Sequence, residues 1–129
     1  MNRVKSEGVV LVVDDVLENR ALAEAYLKKL GWQVLEANSG LSAIELLKSF
    51  TPSHILLDIK MPGIDGVGVA RFVQEKMANC NIRVIGYTAH ALNDEIEHFL
   101  ESGFDSVMIK PITYIDISNQ FGPANAEFC

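Results

Sequence analysis

The sequence predicts an α/β fold in which a parallel sheet is covered by helices on both faces. Along the 129 residues, five short apolar runs alternate with segments whose apolar residues recur at helical spacing. Four of the five runs are nearly continuous β-branched or aliphatic residues, which is typical of strands buried on both faces. Strands that alternate with helices pair in parallel through right-handed crossovers.

The predicted strands are the five apolar runs themselves. They are Val9–Val13, Gln33–Ala37, Ile55–Leu57, Val84–Tyr87 and Val107–Ile109. Each run is followed by polar residues or by a turn, so none is long enough to be read as a buried helix. The chain is therefore expected to contain five strands.

The predicted helices lie between and after these strands. In the first, Leu22 and Tyr26 stand four residues apart, and Gly31 supplies a stop. The same spacing recurs at Leu41/Ile44/Leu47, at Val69/Phe72/Val73/Met77 and at Leu92/Ile96/Phe99/Leu100, the last set followed by Gly103. The final segment, Thr113–Phe121, is rich in mediocre helix formers and is cut by Gly122-Pro123, so we expect a short fifth helix, and the sequence leaves its order open.

Composition and charge limit what the chain can be. A mass of 14.2 kDa with 49% apolar and 22% charged residues is that of one ordinary globular domain. We expect this domain to span residues 9–121, with a flexible N-terminal tail at 1–8 and a C-terminal tail or linker stub at 122–129. The net charge of −6 argues against direct nucleic-acid binding.

Targeting signals and cysteines point to a cytoplasmic setting. No apolar run approaches the roughly 20 residues that a membrane span needs, so we expect no membrane insertion. The two cysteines, Cys80 and Cys129, are far apart in sequence, which favours a reduced cytoplasmic environment over a disulfide or a metal site.

Polar side chains end four of the five predicted strands. Asp14 and Asp15 follow the first, Asp58 the third, Thr88 the fourth, and Lys110 the fifth. Each alone could be a helix cap or a solvated surface residue. Because parallel strands bring their carboxyl ends to one edge of a sheet, we expect all five to meet there, and such clusters mark functional sites.

The chemistry of this cluster follows from its charges. Three carboxylates in one cleft repel one another, and a hard cation such as Mg²⁺ relieves that repulsion. One carboxylate is then free to attack an electrophilic phosphorus and form an acyl phosphate. The ammonium of Lys110 and the hydroxyl of Thr88 could help to neutralise the phosphoryl oxygens during in-line transfer.

These motifs resemble the receiver domain of two-component response regulators. The matching stretches are Val-Val-Asp14-Asp15, Leu-Leu-Asp58-Ile-Lys-Met61-Pro62-Gly63-Ile-Asp65-Gly66, Tyr-Thr88-Ala89 and Ile-Lys110-Pro111. The resemblance runs from Val9 to about Gln120, nearly the whole chain. It implies a doubly wound (βα)5 fold of the flavodoxin-like type, with five parallel strands in the order 2-1-3-4-5.

The resemblance also implies a role for each residue of the acidic cluster. Asp58 would be the phosphoacceptor, receiving its phosphoryl group from a phosphohistidine on a sensor histidine kinase or a phosphotransfer protein. Asp15, Asp58 and the backbone carbonyl of Lys60 would bind Mg²⁺, with Mn²⁺ as a substitute, while Asp14 would act through a bound water. The domain would phosphorylate and dephosphorylate itself at Asp58 but would not be an enzyme with a turnover substrate.

A second group of residues would bind the phosphoryl group and transmit the signal. Thr88, Ala89 and Lys110 would contact it, and the Lys110–Pro111 peptide bond would be cis. Phosphorylation would shift a pre-existing equilibrium and so change binding to a downstream protein, with a phosphorylation-dependent dimer as one outcome.

Three positions near the site distinguish this chain within the family. Where members often carry Tyr or Phe in the fifth strand, this chain has Val107, which leaves open whether Thr88 moves with an aromatic partner or alone. Lys60 and His90 each follow a site residue by two positions. Our hypothesis is that both bulky, potentially cationic side chains tune loss of the phosphoryl group by screening attacking water.

Two other classes of protein remain as alternatives, and a third, the flavodoxin-like cofactor binder, is set aside because the acidic pair would repel bare phosphate. A haloacid-dehalogenase-like phosphatase would carry Asp-x-Asp after its first strand, where this chain has Asp14-Asp15-Val16. A flavodoxin-like cofactor binder would need an uncharged, hydroxyl-rich phosphate loop there. A pseudo-receiver that only binds partners would not require intact Asp58 and Lys110. The sequence also leaves open whether this is a stand-alone regulator or a piece of a larger kinase or regulator.

Overall fold

A computed structural model of the chain describes residues 4–89 and 92–124. The strands are β1 (Val4–Val13), β2 (Gln33–Ala37), β3 (Phe50–Asp58), β4 (Arg83–Thr88) and β5 (Ser106–Ile109). The helices are α1 (Leu17–Lys29), α2 (Gly40–Leu47), α3 (Gly66–Lys76), α4 (Asn93–Glu101) and α5 (Tyr114–Phe121), with a short 3-10 turn at Ala78–Cys80. All strand pairs are parallel and the sheet order is β2-β1-β3-β4-β5, which confirms the predicted class and topology.

The sheet separates two apolar cores, because successive residues of a strand face opposite sides. One face packs on α1 and α5, and its buried members include Val10, Val12, Leu56, Ile85, Tyr87, Ala23, Leu27 and Ile117. The other packs on α2, α3 and α4, with Leu11, Val13, Ile55, Leu57, Val84, Ala43, Val69 and Phe99. The central strands are therefore covered on both sides. Within the described ranges, no helix is long and apolar enough to cross a bilayer.

Two strands are longer than their apolar runs, which corrects the predicted boundaries. β1 begins at Val4 and β3 at Phe50, and Val4–Ser6 pairs with Phe50–Pro52 before a register shift in β1. These extensions form because each supplies backbone partners for the other, whatever the polarity of the side chains. From Val4 onward, the segment predicted as a flexible tail at 1–8 is therefore strand, while residues 1–3 lie outside the described part of the chain.

The predicted C-terminal tail is attached to the domain at its start. The Gly122 carbonyl accepts a hydrogen bond from the Trp32 indole at 2.8 Å, and the Ala124 N–H donates to the Leu30 carbonyl at 3.0 Å. Residues 125–129 lie outside the described ranges.

The fifth helix is short, as predicted, and it has both a defined N-terminal cap and a buried stripe. Thr113 and Asp116 form a capping box, in which each side chain accepts a hydrogen bond from the other residue's backbone N–H, at 3.1 and 3.0 Å. Ile117 and Phe121, four residues apart, are buried, whereas Ile115 is 68% exposed. The cap and this buried stripe offset the weak helix propensity of the segment.

Candidate functional site: an acidic cluster at the carboxyl edge of the sheet

The polar residues that end the strands lie together, because the parallel register brings those ends level. Asp58 at the end of β3 pairs with Tyr87 of β4, and Thr88 pairs with Ile109 of β5. Lys110 follows directly, and its N–H donates to the Thr88 carbonyl at 2.8 Å. The carboxyl edge therefore gathers residues that are far apart in sequence.

Three carboxylates form the centre of the site. Asp14, Asp15 and Asp58 each offer an oxygen, and these oxygens all lie within 4.8 Å of one another. Asp14 and Asp58 are buried, whereas Asp15 is exposed. An all-oxygen donor set that is open on one side suits a hard cation that keeps some of its waters, so the residues fit Mg²⁺.

The side chain of Asp14 is fixed by hydrogen bonds on both oxygens. The Val16 N–H donates to Oδ1 at 2.8 Å, and the Tyr87 hydroxyl donates to Oδ2 at 2.5 Å. The Arg20 guanidinium donates to the Asp14 backbone carbonyl at 2.8 Å. Burial, reinforced by the Asp14 carboxylate, raises the pKa of Tyr87 far above its ordinary value, so the phenol stays protonated and remains a donor.

Lys110 bridges the buried carboxylates. Its Nζ lies 3.5 Å from Asp14 Oδ2 and 3.4 Å from Asp58 Oδ1, and its side chain is 20% exposed. The same ammonium lies 4.7 Å from the centroid of the Tyr87 ring. The Lys110–Pro111 peptide bond is cis, as the sequence resemblance implies.

The surroundings of Asp58 disfavour ionisation of its carboxyl group. Burial, followed by repulsion from Asp14, raises its pKa to about 6, and this is opposed by Lys110 and by the Lys60 N–H, which donates to Asp58 Oδ1 at 3.3 Å. Because Lys110 and the Lys60 N–H offset the cost of ionising Asp58 only in part, a further cation beside it would stabilise the ionised carboxylate.

A cavity of about 280 Å³ opens beside Asp58. It is lined by Asp58, Lys60, Thr88, Ala89, Glu95 and Lys110. The structure thus brings together all the described residues that the sequence predicts for phosphoryl binding. His90, the remaining predicted residue, lies outside the described residues.

Sequence reasoning missed three residues of this region: Arg20, Tyr87 and Glu95. The sequence places Tyr87 in the apolar run of β4 and gives its hydroxyl no role. A buried phenol nevertheless needs a hydrogen-bond partner, and that need is the signal that points to a neighbouring carboxylate. Glu95 was hidden because its Oε1 accepts from the Leu92 N–H as a helix-capping residue. Arg20 has no local signal, since its partner Glu36 is on another element, 2.9 Å away.

Val107 lies on the α2–α4 side of the sheet and packs against that core. Its register partner on β4 is Gly86, and a Cβ at Gly86 would lie 2.7 Å from the Phe104 ring. The aromatic ring packed against this side of β4 is therefore that of Phe104, which precedes β5, and not a side chain of β5 itself. This placement leaves the predicted alternatives for Thr88 movement open.

Comparison with known proteins identifies the family. The family model described as the response regulator receiver domain matches residues 10–121, nearly the whole chain. The chain belongs to this family. Receiver domains belong to two-component systems, and phosphorylation on an aspartate is standard for the family.

Individual relatives agree with this assignment. The sensor histidine kinase RcsC of Salmonella typhimurium is 37% identical over 119 residues, which are 92% of this chain but only 12% of the kinase. Sporulation initiation phosphotransferase F of Bacillus subtilis is 34% identical, over 84% of this chain and 86% of that protein. The receiver domain of the response regulator NarL from Mycobacterium tuberculosis has a TM-score of 0.79 and 29% identity, covering 95% of this chain and 99% of that one.

Proposed function

We propose that this receiver domain accepts a phosphoryl group on Asp58 in a Mg²⁺-dependent reaction. The observation that carries the proposal is the position of the Asp58 carboxylate. It is 3% exposed, borders a cavity, lies beside two further carboxylates and has the Lys110 ammonium 3.4 Å away. This combination provides a nucleophile, a cation site and a positive charge for the incoming group.

The reaction is an in-line transfer of the phosphoryl group from a donor nitrogen or oxygen to an oxygen of Asp58. An oxygen of Asp58 forms a new bond to phosphorus as the bond from phosphorus to the donor breaks, and the donor leaves with the electron pair. With a phosphohistidine the broken bond is P–N, and with acetyl phosphate it is P–O. Water reverses the modification later by hydrolysing the acyl phosphate.

Asp14, Asp15, Asp58 and the backbone carbonyl of Lys60 would hold the Mg²⁺, with Mn²⁺ as a substitute. When bound, the metal supplies positive charge against the phosphoryl oxygens. Asp14, whose oxygens accept hydrogen bonds from Val16 and Tyr87, would act through a bound water, as the family resemblance implies.

Thr88, Ala89 and Lys110 would contact the phosphoryl group from the other side of the cavity that they line. These contacts favour the active state over the inactive one, and this difference in binding drives the population shift. The outcome would be altered binding to a downstream protein or a phosphorylation-dependent dimer. Donors would be a sensor histidine kinase or a histidine phosphotransfer protein in the cytoplasm, a choice that the kinase and phosphotransferase relatives support.

Lys60 would tune how long the phosphoryl group lasts. Its side chain borders the cavity beside Asp58, where it can screen attacking water, and His90 is proposed to act in the same way. The decay of the purified phosphoprotein tests this directly. An unchanged lifetime in both Lys60→Ala and His90→Ala would contradict it.

The main proposal is tested by labelling the chain with acetyl phosphate and Mg²⁺. Intact-mass spectrometry should show one added phosphoryl group, and reductive trapping followed by peptide mapping should place it on Asp58. Asp58→Asn should abolish labelling. Asp65→Asn is the matched control, because it removes a carboxylate of the same loop while Asn still caps α3.

Two outcomes would overturn the proposal. Absence of any acyl phosphate in the wild-type chain would indicate a pseudo-receiver. Rapid, repeated turnover of a phosphorylated small molecule, with phosphate released and no slowly decaying acyl phosphate accumulating on Asp58, would indicate a phosphatase.

A further inference from the structure

Tyr87 occupies a place in β4 from which it reaches several residues of the site. Its backbone is paired with Asp58, and its carbonyl accepts a hydrogen bond from the Ile59 N–H at 3.0 Å. Because strand residues alternate, its side chain lies on the α1 and α5 side, opposite to that of Thr88. The ring is fully buried.

The phenol of Tyr87 is a hydrogen-bond donor to Asp14. Its hydroxyl lies 2.5 Å from Asp14 Oδ2, and Asp14 is itself inaccessible to solvent. A buried carboxylate is held strongly by a donor of this kind, because no water replaces it if it is lost. The other oxygen is already taken by the Val16 N–H, so the two donors together fix the carboxylate plane.

The Lys110 ammonium also lies over the face of the Tyr87 ring. Nζ lies 4.7 Å from the ring centroid while it remains within 3.5 Å of Asp14 and Asp58. An ammonium over an aromatic face is attracted by the ring quadrupole. Tyr87 therefore contacts both Asp14, which is proposed to help hold the cation, and Lys110, which is proposed to bind the phosphoryl group.

We propose that Tyr87 is a positioning residue that, through its hydroxyl, holds Asp14 in the orientation needed for Mg²⁺ binding and, through its ring, holds Lys110 toward Asp58. This rests on the proposed function of the acidic cluster. If the role of Tyr87 were only to fill the core, a phenyl ring would serve equally well. The hydroxyl and the ring are therefore separable by substitution.

The first test is the Mg²⁺ affinity of Tyr87→Phe, measured without any phosphoryl donor by titrating the backbone amide resonances of the site. We expect the affinity to fall about tenfold, because groups that orient metal ligands typically contribute at least this much. Tyr26→Phe is the matched control, since Tyr26 is a half-buried tyrosine of α1 whose ring packs on Tyr114. It should leave the affinity unchanged.

A double-mutant cycle with Asp14→Asn shows whether the effect passes through Asp14. In the Asp14→Asn background, adding Tyr87→Phe should change the Mg²⁺ affinity little further. An affinity of Tyr87→Phe equal to that of the wild-type chain would overturn the proposal, as would full additivity of the two substitutions.

The Lys110 arm is tested by Tyr87→Leu, which removes the ring as well. At saturating Mg²⁺ it should be phosphorylated by acetyl phosphate more slowly than Tyr87→Phe, and equal rates would overturn this arm. Labelling of the wild-type chain at Asp58 distinguishes a failure of the proposed function from a failure of the Tyr87 role alone. If the wild-type chain is not labelled, the proposed function fails, whereas labelled wild type with unaffected Tyr87 variants removes only the positioning role.

Discussion

The two edges of the sheet handle buried polar groups in opposite ways. At the carboxyl edge, Asp14 and Asp58 are buried side by side, with the Lys110 ammonium within 3.5 Å of both carboxylates. Toward the amino edge, His54 is packed between two aromatic rings, Trp32 at 4.7 Å and Phe121 at 5.3 Å between centroids. We refer to Trp32, His54 and Phe121 as the amino-edge cluster.

The amino-edge cluster satisfies its polar groups within the protein. The Trp32 indole donates to the Gly122 carbonyl, and His54 Nδ1 lies 2.8 Å from the Ser53 hydroxyl. Burial, followed by repulsion from Arg83, lowers the pKa of His54 to about 4, so the ring is neutral at neutral pH. The comparison indicates that this edge contributes stability, whereas the carboxyl edge retains charges that a ligand can neutralise.

The largest effect is expected when the amino-edge cluster is broken. Trp32→Ala should lower the free energy of unfolding by about 3–4 kcal/mol, because it removes a buried ring and leaves a cavity. Urea denaturation followed by circular dichroism measures this, since Trp32 is the chain's one tryptophan and its fluorescence is lost. Trp32→Phe should cost less, because it keeps a ring beside His54.

Phosphorylation provides the other half of this comparison. Molecules of the Trp32 variants that remain folded should be labelled at Asp58 at the wild-type rate, because the cluster lies toward the opposite end of the strands from the site. A large loss of labelling in the folded fraction would show that the two edges are coupled, and it would break the distinction drawn between them.

Sequence reasoning succeeded at the carboxyl edge because topology alone brings strand ends together. Asp14, Asp58 and Lys110 each follow a recognisable apolar run, and the order of strands and helices predicts a parallel sheet. The contact of Tyr87 with Asp14 could not be predicted in this way. It depends on which face of β4 the side chain occupies and on the rotamer that reaches across to β1.

Sequence reasoning was weaker where tertiary contacts override local preference. The start of β3 at Phe50 depends on pairing with the start of β1, which no local pattern around Pro52 reveals. In α5, the helix propensity of Asp116 is poor in the interior of a helix but favourable as the partner of Thr113 in a capping box. Local propensity alone misses both features, because each depends on a partner residue.

The pH dependence of stability should separate the two edges by sign. His54 has a pKa near 4 in the folded protein against 6.5 ordinarily, so between these values the unfolded chain binds more protons and stability falls as pH is lowered. Asp58 has a pKa near 6 against 3.8 ordinarily, so in its window the folded protein binds more protons and stability rises as pH is lowered. In the wild-type chain the two contributions partly cancel.

Single substitutions should expose each contribution between pH 6.5 and pH 4. Relative to wild type, His54→Phe should lose less stability on acidification and Asp58→Asn should lose more, each by about 1–2 kcal/mol across the window. Taking differences from wild type removes the contribution of the other carboxylates.

Asp58→Asn should also be more stable than wild type at neutral pH, because it removes a buried charge that repels Asp14. Parallel pH profiles for all three proteins would contradict the contrast between the edges. Added Mg²⁺ should reduce the difference in free energy of unfolding between Asp58→Asn and wild type at neutral pH, because it stabilises only the chain that retains Asp58.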